Sequence, residues 1–184
     1  MTAKSDRRKI SRHERRVATE LGGRKTFASG SGDEKGDGVV ARQFIRTADG
    51  ITVSPRISLR IENKITSHDY YTLTALDWEK ISSAAARGGE EPFFHIQLTV
   101  PGIPAVELAI IRECLAHDLG IAPDEIMPAR TASRSYKVSW NRWRGGPPTL
   151  IRLTRITPHP IRGHYELLVL ASYYDVKNRL SEIQ

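Results

Sequence analysis

Ile57-Ser58-Leu59-Arg60-Ile61-Glu62-Asn63-Lys64-Ile65-Thr66, ISLRIENKIT, sets Ile57, Leu59, Ile61, Asn63 and Ile65 at odd positions against Ser58, Arg60, Glu62, Lys64 and Thr66 at even ones. A period of two is that of a β-strand with one face turned to a core. Glu62 and Lys64 then stand side by side on its polar face. What surrounds this strand decides the fold. Upstream, Gly38 to Thr47 reads as a strand, Ala48-Asp49-Gly50 as a hairpin turn, and a return through Ile51 is interrupted near Pro55. Downstream, Tyr71 to Arg87, with Leu73, Leu76, Ile81, Ala84 and Ala85, reads as a helix stopped by Gly88-Gly89, and Phe93 to Val100 as a buried strand.

Further out, Ile10, Glu14, Val17 and Leu21 share one side of a helix from Ser11 to Leu21, while Arg8, Arg12, Arg15 and Arg16 line its other side. Arg24 to Ala28 is a short strand candidate. Past Pro101 and Pro104, Val106 to Asp118 reads as a helix with Leu108, Ile111 and Leu115 inward. Ser135 to Trp140, Leu150 to Ile156 and Tyr165 to Tyr173 read as strands. The fold class is therefore α/β (α+β), a central mixed β-sheet flanked by helices with a β-rich C-terminal extension. The organisation is a basic arm over residues 1–10, a core over 11–100, and the extension over 101–184, packed on the core or in a subunit interface.

The chain of 184 residues carries a formal charge of +7, unevenly spread. Residues 1–25 hold nine Lys/Arg against three Asp/Glu, residues 26–126 nine against fifteen, and residues 127–184 ten against three. Basic flanks enclosing an acidic centre suit a polyanion that meets cations held by the central carboxylates. That points to a metal-dependent enzyme acting on nucleic acid. No apolar run of about 18 residues occurs, and the arginine-rich N-terminus lacks the apolar stretch of a signal peptide. A soluble, intracellular (cytoplasmic) protein is expected. Cys114 is the single cysteine, which excludes an intrachain disulfide and a cysteine-rich zinc cluster.

The residues that carry chemistry are Asp37, at the mouth of one strand, and Glu62-Asn63-Lys64 on the next. Mg²⁺ takes oxygen ligands in an octahedron and keeps several waters, so two carboxylates, Asp37 and Glu62, with a main-chain carbonyl, that of Asn63, suffice. Mn²⁺ would substitute. Lys64, on the same face as Glu62, could orient a water or neutralise charge on a pentavalent phosphorus. An E-x-K pair alone is common on solvated strands. Its weight here comes from Asp37 upstream, Glu14 on the preceding helix and the basic ends of the chain. Glu14 shares the apolar side of its helix, where a carboxylate either pairs with an arginine or points into a site.

The competing motifs are weaker. Gly30 to Gly38 lacks the G-x-x-x-x-G-K-[ST] order of a phosphate loop, and Asp33 and Glu34 fit a solvated turn. The histidines show no metal spacing, and His95, in an apolar strand, reads as a satisfied core residue. Trp140-Asn141-Arg142-Trp143-Arg144 either stacks on bases and grips phosphates through Arg142 and Arg144, or places Trp140 in the core with the arginines at the surface.

The order of helix with Glu14, strand, Gly30-Ser31-Gly32, Lys35-Gly36-Asp37 and Ile61-Glu62-Asn63-Lys64 resembles the PD-(D/E)XK nuclease superfamily, within it the archaeal-type Holliday junction resolvases and their phage-encoded relatives. The likeness runs from about Arg8 to Thr99. It implies a restriction-endonuclease-like core, an active-site set of Glu14, Asp37, Glu62 and Lys64, and a role for Ser31 at the DNA strand. It also implies a homodimer that resolves four-way DNA junctions by paired, metal-dependent hydrolysis, acting in recombination and repair. Arg8, Arg12, Arg15, Arg24 and Lys25 would follow the phosphate backbone. Gly36 stands where the family usually has proline, the segment between Asp37 and Glu62 is longer than the compact hairpin, and residues 101–184 lie outside the likeness. A sequence- or lesion-directed endonuclease on the same core is the alternative reading, and a non-catalytic DNA-binding protein on a nuclease fold is the rival from another class.

Overall fold

A computed structural model describes residues 3–25, 38–43, 46–48, 51–53, 56–128, 132–143, 146–159 and 163–182. In chain order the elements are α1 (Ala3–Glu20), β1 (Arg24–Lys25), β2 (Gly38–Gln43), β3 (Arg46–Ala48), β4 (Ile51–Val53), β5 (Arg56–Thr66), β6 (Tyr70–Thr74), α2 (Ala75–Gly88), β7 (Glu91–Leu98), β8 (Val106–Arg112), α3 (Glu113–Asp118), β9 (Ser135–Ser139), β10 (Thr149–His159), β11 (Gly163–Ser172) and α4 (Tyr173–Glu182). Seven strands form one sheet in the order β1-β2-β5-β7-β8-β11-β10. Among the described strands β5 and β7 run parallel, as the intervening α2 crossover requires, and the other pairs are antiparallel. Two ribbons, β3 with β4 and β6 with β9, stand apart from it. The architecture is thus a mixed sheet flanked by helices, as expected for the α/β (α+β) class.

Alternation along the inner strands builds two cores. Leu59 and Ile61, Phe93, Ala109 and Ile111, and Val169 and Ala171 turn to one face, where Val17, Ala18 and Leu21 of α1, Leu115 of α3, and Val176 and Leu180 of α4 cover them. Phe94, Ile96 and Leu98, Leu108 and Ile110, and Leu168 and Leu170 turn to the other, under Trp78 and Ile81 of α2, Leu73 and Val138 of the β6–β9 ribbon, and Trp140 and Trp143. Strands apolar on both faces lie in the middle of such a layered fold.

Three expectations are corrected. Val106–Arg112 is a strand and only Glu113–Asp118 is helical. The spacing of Leu108, Ile111 and Leu115 matches a helix, but Glu107–Ile111, apolar except for Glu107, is buried on both faces, the signature of an inner strand. The second helix starts at Ala75, not Tyr71, because Thr74 and Asp77 form a capping box: Thr74 Oγ1 accepts from the Asp77 amide at 3.1 Å, and the Thr74 amide donates to Asp77 Oδ2 at 3.4 Å. The strand read over Gly38 to Thr47 ends at Gln43, and Arg46–Ala48 pairs instead with Ile51–Val53. Gly89 caps α2 at φ 64, as the glycine pair indicated.

Two features seat α1. The first is close approach. A Cβ on Gly38 would lie 2.9 Å from Ala18 Cβ, and one on Gly23 would lie 2.2 Å from the Val39 carbonyl oxygen. The second is a buried polar network. Arg16, grouped by sequence with the phosphate-facing arginines, turns inward and donates to Glu107 Oε2 at 2.7 Å and to Glu20 Oε1 at 3.1 Å. His95 Nε2 lies 3.1 Å from the same Glu107 oxygen, Tyr174 donates to Glu107 Oε1 at 3.3 Å, and Tyr173 donates to Glu20 Oε2 at 3.0 Å. The His13 ring lies 5.2 Å from that of His95. Burial, helped by the charges of His95 and Arg16, holds His13 down at about 4, and burial likewise lowers His95. Burial alone would raise Glu107, but hydrogen bonds from His95 and Arg16 prevail and hold it at about 2.

The seam predicts that Gly23→Ala destabilises the protein by about 2–3 kcal/mol through overpacking. Gly89→Ala, whose Cβ would meet nothing within 4 Å, should cost only ~1 kcal/mol for its left-handed backbone. Urea midpoints at constant slope measure both.

The network predicts a pH dependence of definite sign. Two histidines held neutral when folded take up protons on unfolding, so the unfolded state binds more protons between about pH 6.5 and, for His13, about 4. Stability is full above that window and declines as pH falls through it; Glu107 adds a loss in the same direction from its ordinary 4.5 down to about 2. Thermal melts from pH 7.5 to 4 should show a steady fall in Tm, flattened in His13→Asn. A level profile would contradict this assignment.

Candidate active site

The register of β5 places the site. β2 pairs with it antiparallel from Gln43↔Arg56 to Gly38↔Ile61. On the other side β7 accompanies β5 to its end, from Leu59↔Glu91 to Thr66↔Leu98. Among the described residues no strand pairs with residues 62–66 on the β2 side. Glu62, Asn63 and Lys64 therefore follow directly on the stretch of β5 that β2 covers. Asp37 lies outside the described residues. Its chain neighbour Gly38 is paired with Ile61, the residue before Glu62.

Glu62 and Lys64 share a face, as alternation predicts, and Lys64 Nζ donates to Glu62 Oε1 at 2.6 Å. Their side chains are 25% and 37% exposed, so the pair is reachable from solvent yet held by the strand. Tyr71 borders it. Its ring lies 5.9 Å from that of Phe94, the residue paired with Glu62. Burial, with the charges of Asp77 and Glu62, raises the Tyr71 hydroxyl far above its ordinary value. It remains a neutral donor throughout the working range.

Glu14 is buried, at 9% exposure, and stands on the other side of the sheet. Ala18 and Leu21 pack with Ile61 and Leu59, and His13 meets His95, the partner of Asn63. Glu14, one turn before Ala18, is thus at the level of Asn63 on the α1 face, while Glu62 and Lys64 occupy the α2 face. Among the described residues no three His, Cys, Asp or Glu side chains are grouped to hold a metal ion. Glu62 alone of the two expected carboxylate ligands is described. Its partly exposed hard-oxygen donor is of the type that suits Mg²⁺.

Of the expected DNA-binding residues, Arg12 and Arg15 are exposed on α1 and Arg24 is exposed on β1. The side chains of Arg8, Lys25 and Arg142 are not among those described, and Ser31 and Arg144 lie outside the described residues. Trp140 and Trp143 are core residues, at 9% and 5% exposure, which removes Trp140 from any stacking role and leaves the alternative of a buried tryptophan. His95 is a core residue, as read, with Nε2 bonded to Glu107, but its buried Nδ1 has no partner among the described residues, so it is satisfied only in part. Sequence reasoning missed Tyr71, hidden inside an over-long helix, and Glu107, whose signal was a carboxylate inside an apolar run.

Neither protein-family models nor curated proteins match the chain. Among solved structures it is similar to Hjc, a Holliday junction resolvase from the archaeal hyperthermophile Archaeoglobus fulgidus, with 22% identity over 52% of this chain and 72% of that one, at a TM-score of 0.37.

Proposed function

We propose that this protein is a Mg²⁺-dependent, structure-selective DNA endonuclease that resolves four-way junctions as a homodimer. The observation that supports it most is the Glu62–Lys64 pair on a fixed strand, one residue past the Gly38↔Ile61 pair of β2 and β5. A rigid strand holds catalytic groups better than a loop.

Asp37, Glu62 and the Asn63 carbonyl would hold the ion, which when bound supplies Lewis-acid charge at the scissile phosphate. The chain's own groups do the rest. Lys64, bonded to Glu62, orients the attacking water and offsets negative charge as phosphorus becomes five-coordinate. The water oxygen bonds to phosphorus, the P–O3′ bond breaks, one water proton passes to O3′ and the other to solvent, and the products are a 5′-phosphate and a 3′-hydroxyl. Glu14 approaches from the α1 face, as a ligand or as an acceptor that orients one. Exposed Arg12, Arg15 and Arg24 contact phosphates, which sets orientation and not sequence. In a two-fold dimer, paired sites would nick a symmetric junction on opposed strands.

Cleavage of a labelled four-way junction, with matched linear duplex as control, tests reaction and substrate together. The expected result is paired nicking that needs Mg²⁺ or Mn²⁺ and falls by roughly 10²–10³ in Asp37→Asn, Glu62→Gln and Lys64→Ala. Equal cutting of junction and duplex would replace the resolvase reading with a sequence- or lesion-directed nuclease. Binding without any cutting would leave a DNA-binding protein on a nuclease fold.

A further inference from the structure

The β6–β9 ribbon has one face with no structural employment. Tyr71, Leu73, Tyr136 and Val138 pack inward on the core beside Glu62. The pairing Tyr70↔Ser139, Thr72↔Lys137 and Thr74↔Ser135 puts the alternate residues on the outer face. There Tyr70 is 40% exposed, and Thr72, Ser135 and Lys137 are exposed too. Lys137 Nζ sits 3.9 Å above the Tyr70 ring centroid, with no carboxylate within ion-pair distance among the described residues. Neither strand contains Asp or Glu, and the nearby Asp77 is engaged by Thr74.

We propose that this outer face is a second DNA contact, a phosphodiester-backbone track beside the site; it rests on the nuclease reading for its ligand. The chemistry fits that one partner. A cation without a carboxylate partner offers its full charge to phosphate, and the cation–π contact restrains where it points, lowering the ordering cost on binding. Tyr and Thr/Ser hydroxyls along a strand are donors that phosphate oxygens use for positioning. The charge is complementary, since the two strands carry Lys137 and no Asp or Glu. Continuity is supplied by β6, whose Tyr71 borders Glu62 from the inner face while Tyr70 faces out. DNA gripped at Glu62 and Lys64 would continue across the ribbon.

The test measures binding and cutting separately. Equilibrium binding of the full-length protein to a fluorescent four-way junction is followed in chelator across a series of salt concentrations, for the wild type, Lys137→Ala, Lys137→Arg and Tyr70→Ala. Thermal melts establish that each variant folds. The expected result is a roughly 3–10-fold weaker Kd for Lys137→Ala, with the salt slope reduced by about 0.9, the value of one phosphate contact. Lys137→Arg should restore both, and Tyr70→Ala should lose part of the affinity with little change in slope. Unchanged affinity and slope in Lys137→Ala would overturn the proposal even if the wild type cuts junctions. Tight wild-type binding lost in Lys137→Ala would sustain it even if no cutting is seen, in which case only the catalytic reading fails. A change of oligomeric state in Lys137→Ala by sedimentation, with DNA affinity unaltered, would assign the face to a protein contact and overturn it too.

Discussion

The structure turns on the pairing of β5. Leu59 to Ile61 are bonded on both sides, to β2 and to β7, and β7 accompanies the strand on to Thr66. Leu59 and Ile61 in this doubly paired stretch are fully buried. Glu62 and Lys64 come immediately after it, on a strand that β7 keeps stiff, with their side chains partly exposed. A strand held in this way gives the candidate site a rigid base.

That arrangement makes α1 more than a cover. β2 ends against it, and glycine at 38 and 23 lets helix and strand approach until a single added carbon would clash. The helix is then fixed along its length by a network that reaches it from β7, β8 and α4. Arg16, His13 and Glu20 are bonded or stacked to Glu107, His95 and Tyr173. Buried ion pairs of this kind add little net stability, because desolvation offsets most of the attraction. What they impose is register. With Arg16 held at Glu107, Glu14 is held at the level of Asn63, on the face opposite Glu62.

Much of this was legible in the sequence, for identifiable reasons. The ISLRIENKIT strand and its Glu62–Lys64 face follow from a period that no helix can mimic. The end of α2 follows from Gly88-Gly89. Where the reading failed, two patterns competed. Val106–Arg112 satisfies helical spacing at Leu108, Ile111 and Leu115, and only burial from both sides makes it a strand. Tyr70–Thr74 was absorbed into α2 because apolar residues at 71 and 73 continue its pattern, although Thr74 and Asp77 mark the true start. The C-terminal helix Tyr173–Glu182 was not read at all: Val176 and Leu180 bury a narrow stripe on an otherwise polar segment. The face on which Glu14 stands could not be read, since it depends on contacts between residues 16 and 107, far apart in the chain.

This last point bears on how the two halves of the chain relate. The family likeness stops near Thr99, yet the sheet does not. β8 pairs with β7 along its length, and β11 and β10 extend the same sheet. β8 brings Glu107 to Arg16 and His95, β11 leads into Tyr173, and β9 forms the ribbon whose inner face packs beside Glu62. Each side of the candidate site is therefore held by residues beyond 100: the α1 face through the buried network, the α2 face through the ribbon. The second half contributes to the site by fixing, from both sides, the strand that carries Glu62 and Lys64. A sequence comparison limited to the first hundred residues sees the chemical groups but not what orients them.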